Sequence, residues 1–135
     1  MAFDPPMALD SKCYAIDANG WIAGFYRHVD SAGMVGFVRS PRGAFKLFDG
    51  KGYSGNTYAW GINTKAAVAG SWSGANGRPH GLGRTDAGKL KTFDPTGSVA
   101  TYAVGVNSKD AIAGYWQDSS GDYHGFVRVH MYTGR

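Results

Sequence analysis

The 135-residue chain carries 21 glycines, 14% aromatic residues and a formal net charge of +4, with no glutamate. Helices are built largely from Leu, Glu, Lys and Ala, so this composition argues against a helical bundle and for short strands joined by tight turns. The basic residues stand singly rather than in runs, which speaks against a nucleic-acid surface. The lone Cys13 leaves no internal disulfide. No apolar stretch has the length of a membrane span, and the opening Met-Ala-Phe-Asp-Pro-Pro has no leader pattern, so neither a membrane partner nor a leader is expected.

In chain order, Phe3-Asp4 is followed by Ile16-Asp17, Ala23-Gly24, Gly36-Phe37 and Arg39. The series restarts at Phe48-Asp49, continuing through Ile62-Asn63, Ala69-Gly70, Gly81-Leu82 and Arg84. It restarts again at Phe93-Asp94, with Val106-Asn107, Ala113-Gly114, Gly125-Phe126 and Arg128. Five anchors kept in one order define a repeat of about 45 residues. Residues 1–135 therefore read as a single repeat domain with units near 3–47, 48–92 and 93–135.

Each unit predicts four short strands. The first is typified by Tyr58–Asn63, the second by Ala67–Trp72, the third by His124–Arg128 and the fourth by Lys89–Asp94. Turn signals separate them: Asn19-Gly20, Asn76-Gly77, Ser120-Gly121-Asp122 and Pro95-Thr96-Gly97. Glycines inside the strands predict backbones too close for a side chain. The third unit reaches Arg135 with no further Phe-Asp strand after it, whereas the chain opens with a spare one, so the N-terminal strand is expected to complete the last unit, in its own chain or in a partner's. The fold class is all-β, propeller-like. Three blades fall short of the usual four, so six blades from a homodimer are expected, with a β-trefoil as the competing architecture.

Phe93-Asp94-Pro95-Thr96-Gly97, Thr101–Asn107, Ile112–Tyr115 and His124–Phe126 resemble the HAF-type repeats of bacterial proteins. The resemblance extends over nearly the whole chain. It implies a β-propeller-like fold and an extracellular setting, and it implies no particular chemistry. The first unit departs from the pattern, with Asp17 for Asn and Val35 for His, and the third degenerates after Arg128.

Four repeated series are candidate ligand-binding residues. Tyr26, Trp72 and Trp116 follow the Ala-Gly pairs, and an aromatic face suits a sugar ring or blade-to-blade packing. Arg39, Arg84 and Arg128 can fork onto a ligand or staple the aspartate of a Phe-Asp pair, the recurrence favouring the staple. His80 and His124 precede Gly-Phe-like pairs, whereas His28 and His130 stand alone. Asp17, Asn63 and Asn107 close the first strand of each unit, either lining a central channel or capping a turn.

No catalytic residue, metal ligand or cofactor is assigned. Cys/His spacing does not fit zinc, and the G-x-G-x-x-G match at Gly50–Gly55 reads as a turn because no helix follows. Cys13 aligns with Ala59 and Ala103, a small-residue position. The expected function is a multivalent, lectin-like module for a glycan or other small polar ligand. The alternatives are an enzyme working at the central channel, with Asp17 as its base, and a protein-interaction scaffold.

Overall fold

Alternating short apolar runs and Asx-rich turns fold into strands throughout the computed structural model, which describes residues 1–49 and 55–129. The interior of the Gly50–Gly55 match and His130 lie outside the described residues. Eleven strands form three antiparallel sheets, with no helix and no closed barrel among the described residues. The first sheet runs β1 (Ala8–Ile16), β2 (Ile22–His28), β3 (Met34–Arg39), β4 (Phe45–Phe48), each strand beside the next in sequence. The second repeats that order with β5 (Asn56–Ile62), β6 (Val68–Ser73), β7 (Pro79–Arg84) and β8 (Leu90–Phe93). The third holds β9 (Ser98–Val106), β10 (Ile112–Asp118) and β11 (Tyr123–Arg128).

The turn after the first strand of each sheet is made the same way. Asp17 Oδ1 accepts from Asn19 and Trp21 N–H at 2.7 and 3.0 Å. Asn63 Oδ1 accepts from Lys65 and Ala67, and Asn107 Oδ1 from Lys109 and Ala111. The fourth turn residue is left-handed: Gly20 at φ 87°, Ala66 at 64° and Asp110 at 61°. A bulge then recurs in each first strand, leaving Tyr14, Trp60 and Val104 as the extra residue.

Glycines at Gly24, Gly70 and Gly114 are explained by crowding. A Cβ there would meet the carbonyl oxygens of Lys12, Tyr58 and Tyr102 at 2.0–2.1 Å. The sheets then stack in series, β5 lying over β2 and β3, and β9 over β6 and β7. Ala23 and Val38 of the first sheet meet Ala59, Val68 and Leu82 of the second, forming one core cluster. Ala67 and Ala69 meet Ala103 and Ile112 of the third, forming the next. The third sheet has three strands. Within the chain Phe3 does not join it; its ring lies against the first sheet, 5.9 Å from that of Phe45.

Candidate functional site

The three arginines meet rings. Arg39 Cζ stands 4.4 Å above the Phe3 ring, Arg84 Cζ 5.3 Å above Phe48 and Arg128 Cζ 4.6 Å above Phe93. Each arginine thus grips the phenylalanine of the Phe-Asp pair that opens its own repeat, for Arg84 and Arg128 a ring on the preceding sheet, where the sequence suggested an aspartate. Arg84 is buried, and desolvation pulls its guanidinium below the ordinary range, with Asp86 partly restoring it. These positions hold one sheet to the next.

The Asx series lies at the ends of the first strands, and Asn63 links neighbouring sheets. Asn63 Nδ2 donates to Asn107 O at 2.8 Å and to Asp110 Oδ1 at 2.7 Å, and Lys65 Nζ donates to Asp110 Oδ2 at 2.9 Å. Asn19 Nδ2 donates to Thr64 O at 3.2 Å. Asp17 binds its own turn through Oδ1, and its Oδ2 is buried with no hydrogen-bond partner among the described residues.

The aromatic and imidazole series converge. Trp72 on β6 is directly opposite His80 on β7, and the rings stack at 4.6 Å and 29°. Trp116 on β10 is opposite His124 on β11, with rings 4.5 Å apart. Each imidazole holds a carboxylate: His80 Nδ1 lies 2.6 Å from Asp94 Oδ2, and His124 Nε2 lies 2.8 Å from Asp118 Oδ2. The His124 hydrogen bond, with help from the Asp122 and Ser120 N–H groups, holds the Asp118 carboxyl below the usual carboxylate range. Cross-strand register alone produces these pairs, because in an antiparallel ladder directly opposite side chains leave the same face.

In the first unit Val35 replaces histidine opposite Tyr26. His28 takes the role from two residues further along the same strand, its ring 6.0 Å from that of Tyr26. Its Nδ1 accepts from Asp30 N–H at 3.0 Å, which fixes the proton of the neutral ring on Nε2. Tyr26, His28, Asp30 and Asp49 line a cavity of about 450 Å³. Burial pushes the Tyr26 hydroxyl up, and it has no hydrogen-bond partner among the described residues. Sequence reasoning missed His28, Asp118 and the His80 contact of Asp94. The signal available was alternation: His28 lies two residues beyond Tyr26, on the same strand face.

Among the described residues no group of three His, Cys, Asp or Glu side chains is placed to hold a metal ion, and no helix is long and apolar enough to cross a membrane. No family model, curated protein or solved structure matches the chain.

Proposed function

We propose that the chain is a multivalent ligand-binding module, lectin-like, that recognises carbohydrate or a similar polar surface ligand. Its scaffold is a propeller-like series of sheets of the HAF-repeat kind. Three separate meandering sheets, each laid by its first strand across the preceding one, favour that arrangement over a trefoil, which needs strands shared in a barrel.

One observation carries the reading. An aromatic ring, an imidazole and a carboxylate recur together as Trp72–His80–Asp94 and Trp116–His124–Asp118. In the first sheet Tyr26 pairs instead with His28 of its own strand. An indole offers an electron-rich face to sugar C–H bonds, and the imidazole–carboxylate pair offers directional bonds to hydroxyls. Single sites of this size bind weakly, and repetition supplies avidity. Glycan-array screening followed by calorimetry tests it. Millimolar binding that weakens in Trp72→Ala and Trp116→Ala is expected. No sugar binding at millimolar concentration would remove the proposal.

A second reading has its own observation. The cavity beside Tyr26 gathers His28 and Asp30, which the other units do not repeat in kind, with Asp49 of the recurring Phe-Asp pair, and that suits acid–base chemistry. A turnover lost in His28→Ala and kept in Trp116→Ala would favour it over the lectin.

A further inference from the structure

Equivalent positions of the three sheets have different surroundings, and the differences all fall on one face. In the first two sheets, a Cβ on Gly36 or Gly81 would lie 2.6 Å from the ring of Phe48 or Phe93, which lies across it on the neighbouring fourth strand. Gly125, their equivalent on β11, has nothing nearer than Gly114 O at 3.9 Å. A Cβ on Gly61 would lie 2.5 Å from Val104 O and 3.0 Å from Gly105 Cα of the next sheet. Gly105, its equivalent, has nothing within 4 Å.

Exposure follows the same line. Val38 is 1% exposed and its counterpart Val127 is 71%. Phe25 and Ser71 are 4% and 2% exposed, and their counterpart Tyr115 is 43%. Among the described residues, therefore, nothing covers on the third sheet the surface that β5 covers on the first sheet and β9 on the second.

The chain also carries the matching piece. On β1, Cys13 is exposed although its counterparts Ala59 and Ala103 are fully buried against the preceding sheet, and Ile16 is 69% exposed. Phe3 already sits under Arg39 as Phe48 sits under Arg84 and Phe93 under Arg128. Asp4 Oδ1 accepts from Ser11 Oγ at 2.6 Å, as Asp94 Oδ1 accepts from Thr101 Oγ1 at 2.7 Å. The Phe3-Asp4 segment is thus placed as the end of a fourth strand whose sheet is not among those of the described residues.

We infer that the third sheet receives β1 and the Phe3-Asp4 segment of a second copy, so that two chains close into one six-sheet ring. Phe3 of the second copy fills the space over Gly125, its β1 covers Val127 and Tyr115, and Cys13 goes into the new core. Two copies is the number that fits, since rings of this architecture commonly hold between about four and eight sheets. A two-fold axis makes both junctions identical.

The closure also adds to a site, a step that rests on the ligand-binding reading above. Asp4 corresponds to Asp94, which holds His80 through Nδ1. Asp4 of the second copy comes to His124, whose Nε2 already faces Asp118. The Trp116 site then gains a second carboxylate in the pair.

Sedimentation of the full chain across the micromolar range tests the closure without any ligand. A mass twice the 14.4 kDa of one chain is expected. A Cβ at Gly125 meets nothing among the described residues closer than 3.9 Å, so Gly125→Val is expected to keep its far-UV circular dichroism and to run as a monomer. Alkylation of Cys13 should be about tenfold faster in that variant, because it loses the covering sheet. A wild-type mass of one chain, a mass of three or more, or a folded Gly125→Val that still dimerises would overturn the inference. Sugar binding enters neither readout, so failure of the lectin reading leaves this result untouched.

Discussion

Replacing Asn63 by alanine should be far costlier than the same change at Asn107, although both close the same turn. Asn63 is 4% exposed and makes four hydrogen bonds: Oδ1 accepts from Lys65 and Ala67 N–H, and Nδ2 donates to Asn107 O and Asp110 Oδ1. Removing the side chain takes one hydrogen bond each from two N–H groups, a carbonyl and a carboxylate at a partly buried junction. At roughly 1 kcal/mol per net bond, plus the penalty for buried groups left unmade, the loss is about 3–5 kcal/mol. Asn107 makes its two turn bonds in exposed surroundings, so Asn107→Ala costs about 0.5–1 kcal/mol. Urea denaturation in the Gly125→Val background keeps association out of the comparison. The midpoints of the two variants should differ by roughly 1–2 M. Equal midpoints would refute the idea that the amide crossing between sheets, rather than the turn itself, is what Asn63 supplies.

Further expectations concern other contacts. Gly70→Ala places a Cβ 2.0 Å from Tyr58 O, so it should destabilise by about 1–3 kcal/mol in thermal melts; a neutral result would mean the strands part easily. Arg84→Lys keeps the charge and loses the flat guanidinium over Phe48, for an expected cost of about 1 kcal/mol by denaturation. The Asp118 carboxyl, depressed mainly by its His124 hydrogen bond, should titrate below the ordinary carboxylate range in a carbon-13 NMR titration. Its folded pKa lies below its unfolded one, so its contribution to stability is present above the unfolded value and fades as pH falls through the folded one. His124→Ala should move that titration upward, and an unmoved Asp118 would count against the pairing.

The repeat was open to sequence reading because its anchors are backbone requirements. The Ala-Gly pairs recur because a neighbouring carbonyl occupies the Cβ site, and the Asx residues because each caps a turn. Such needs allow few residue types, so they survive in every copy. What each arginine touches was not readable, since its ring lies at the far end of the same repeat and a guanidinium fits an aspartate as well as a phenylalanine. The Trp–His pairing follows from register, which Trp72 and His80 reveal only once the hairpin between them is fixed. His28 was passed over because it reaches Tyr26 from the same strand, whereas His80 and His124 reach their tryptophans from the opposite one.

The Phe-Asp ring beneath each arginine is synthesised before it, Phe3 ahead of Arg39, Phe48 ahead of Arg84 and Phe93 ahead of Arg128. On a ribosome, every new hairpin therefore emerges to find its clasp already waiting, and assembly can proceed from the amino end like beads drawn onto a string. A break early in the chain would deprive later units of their anchorage, whereas a break late in it would spare those already made.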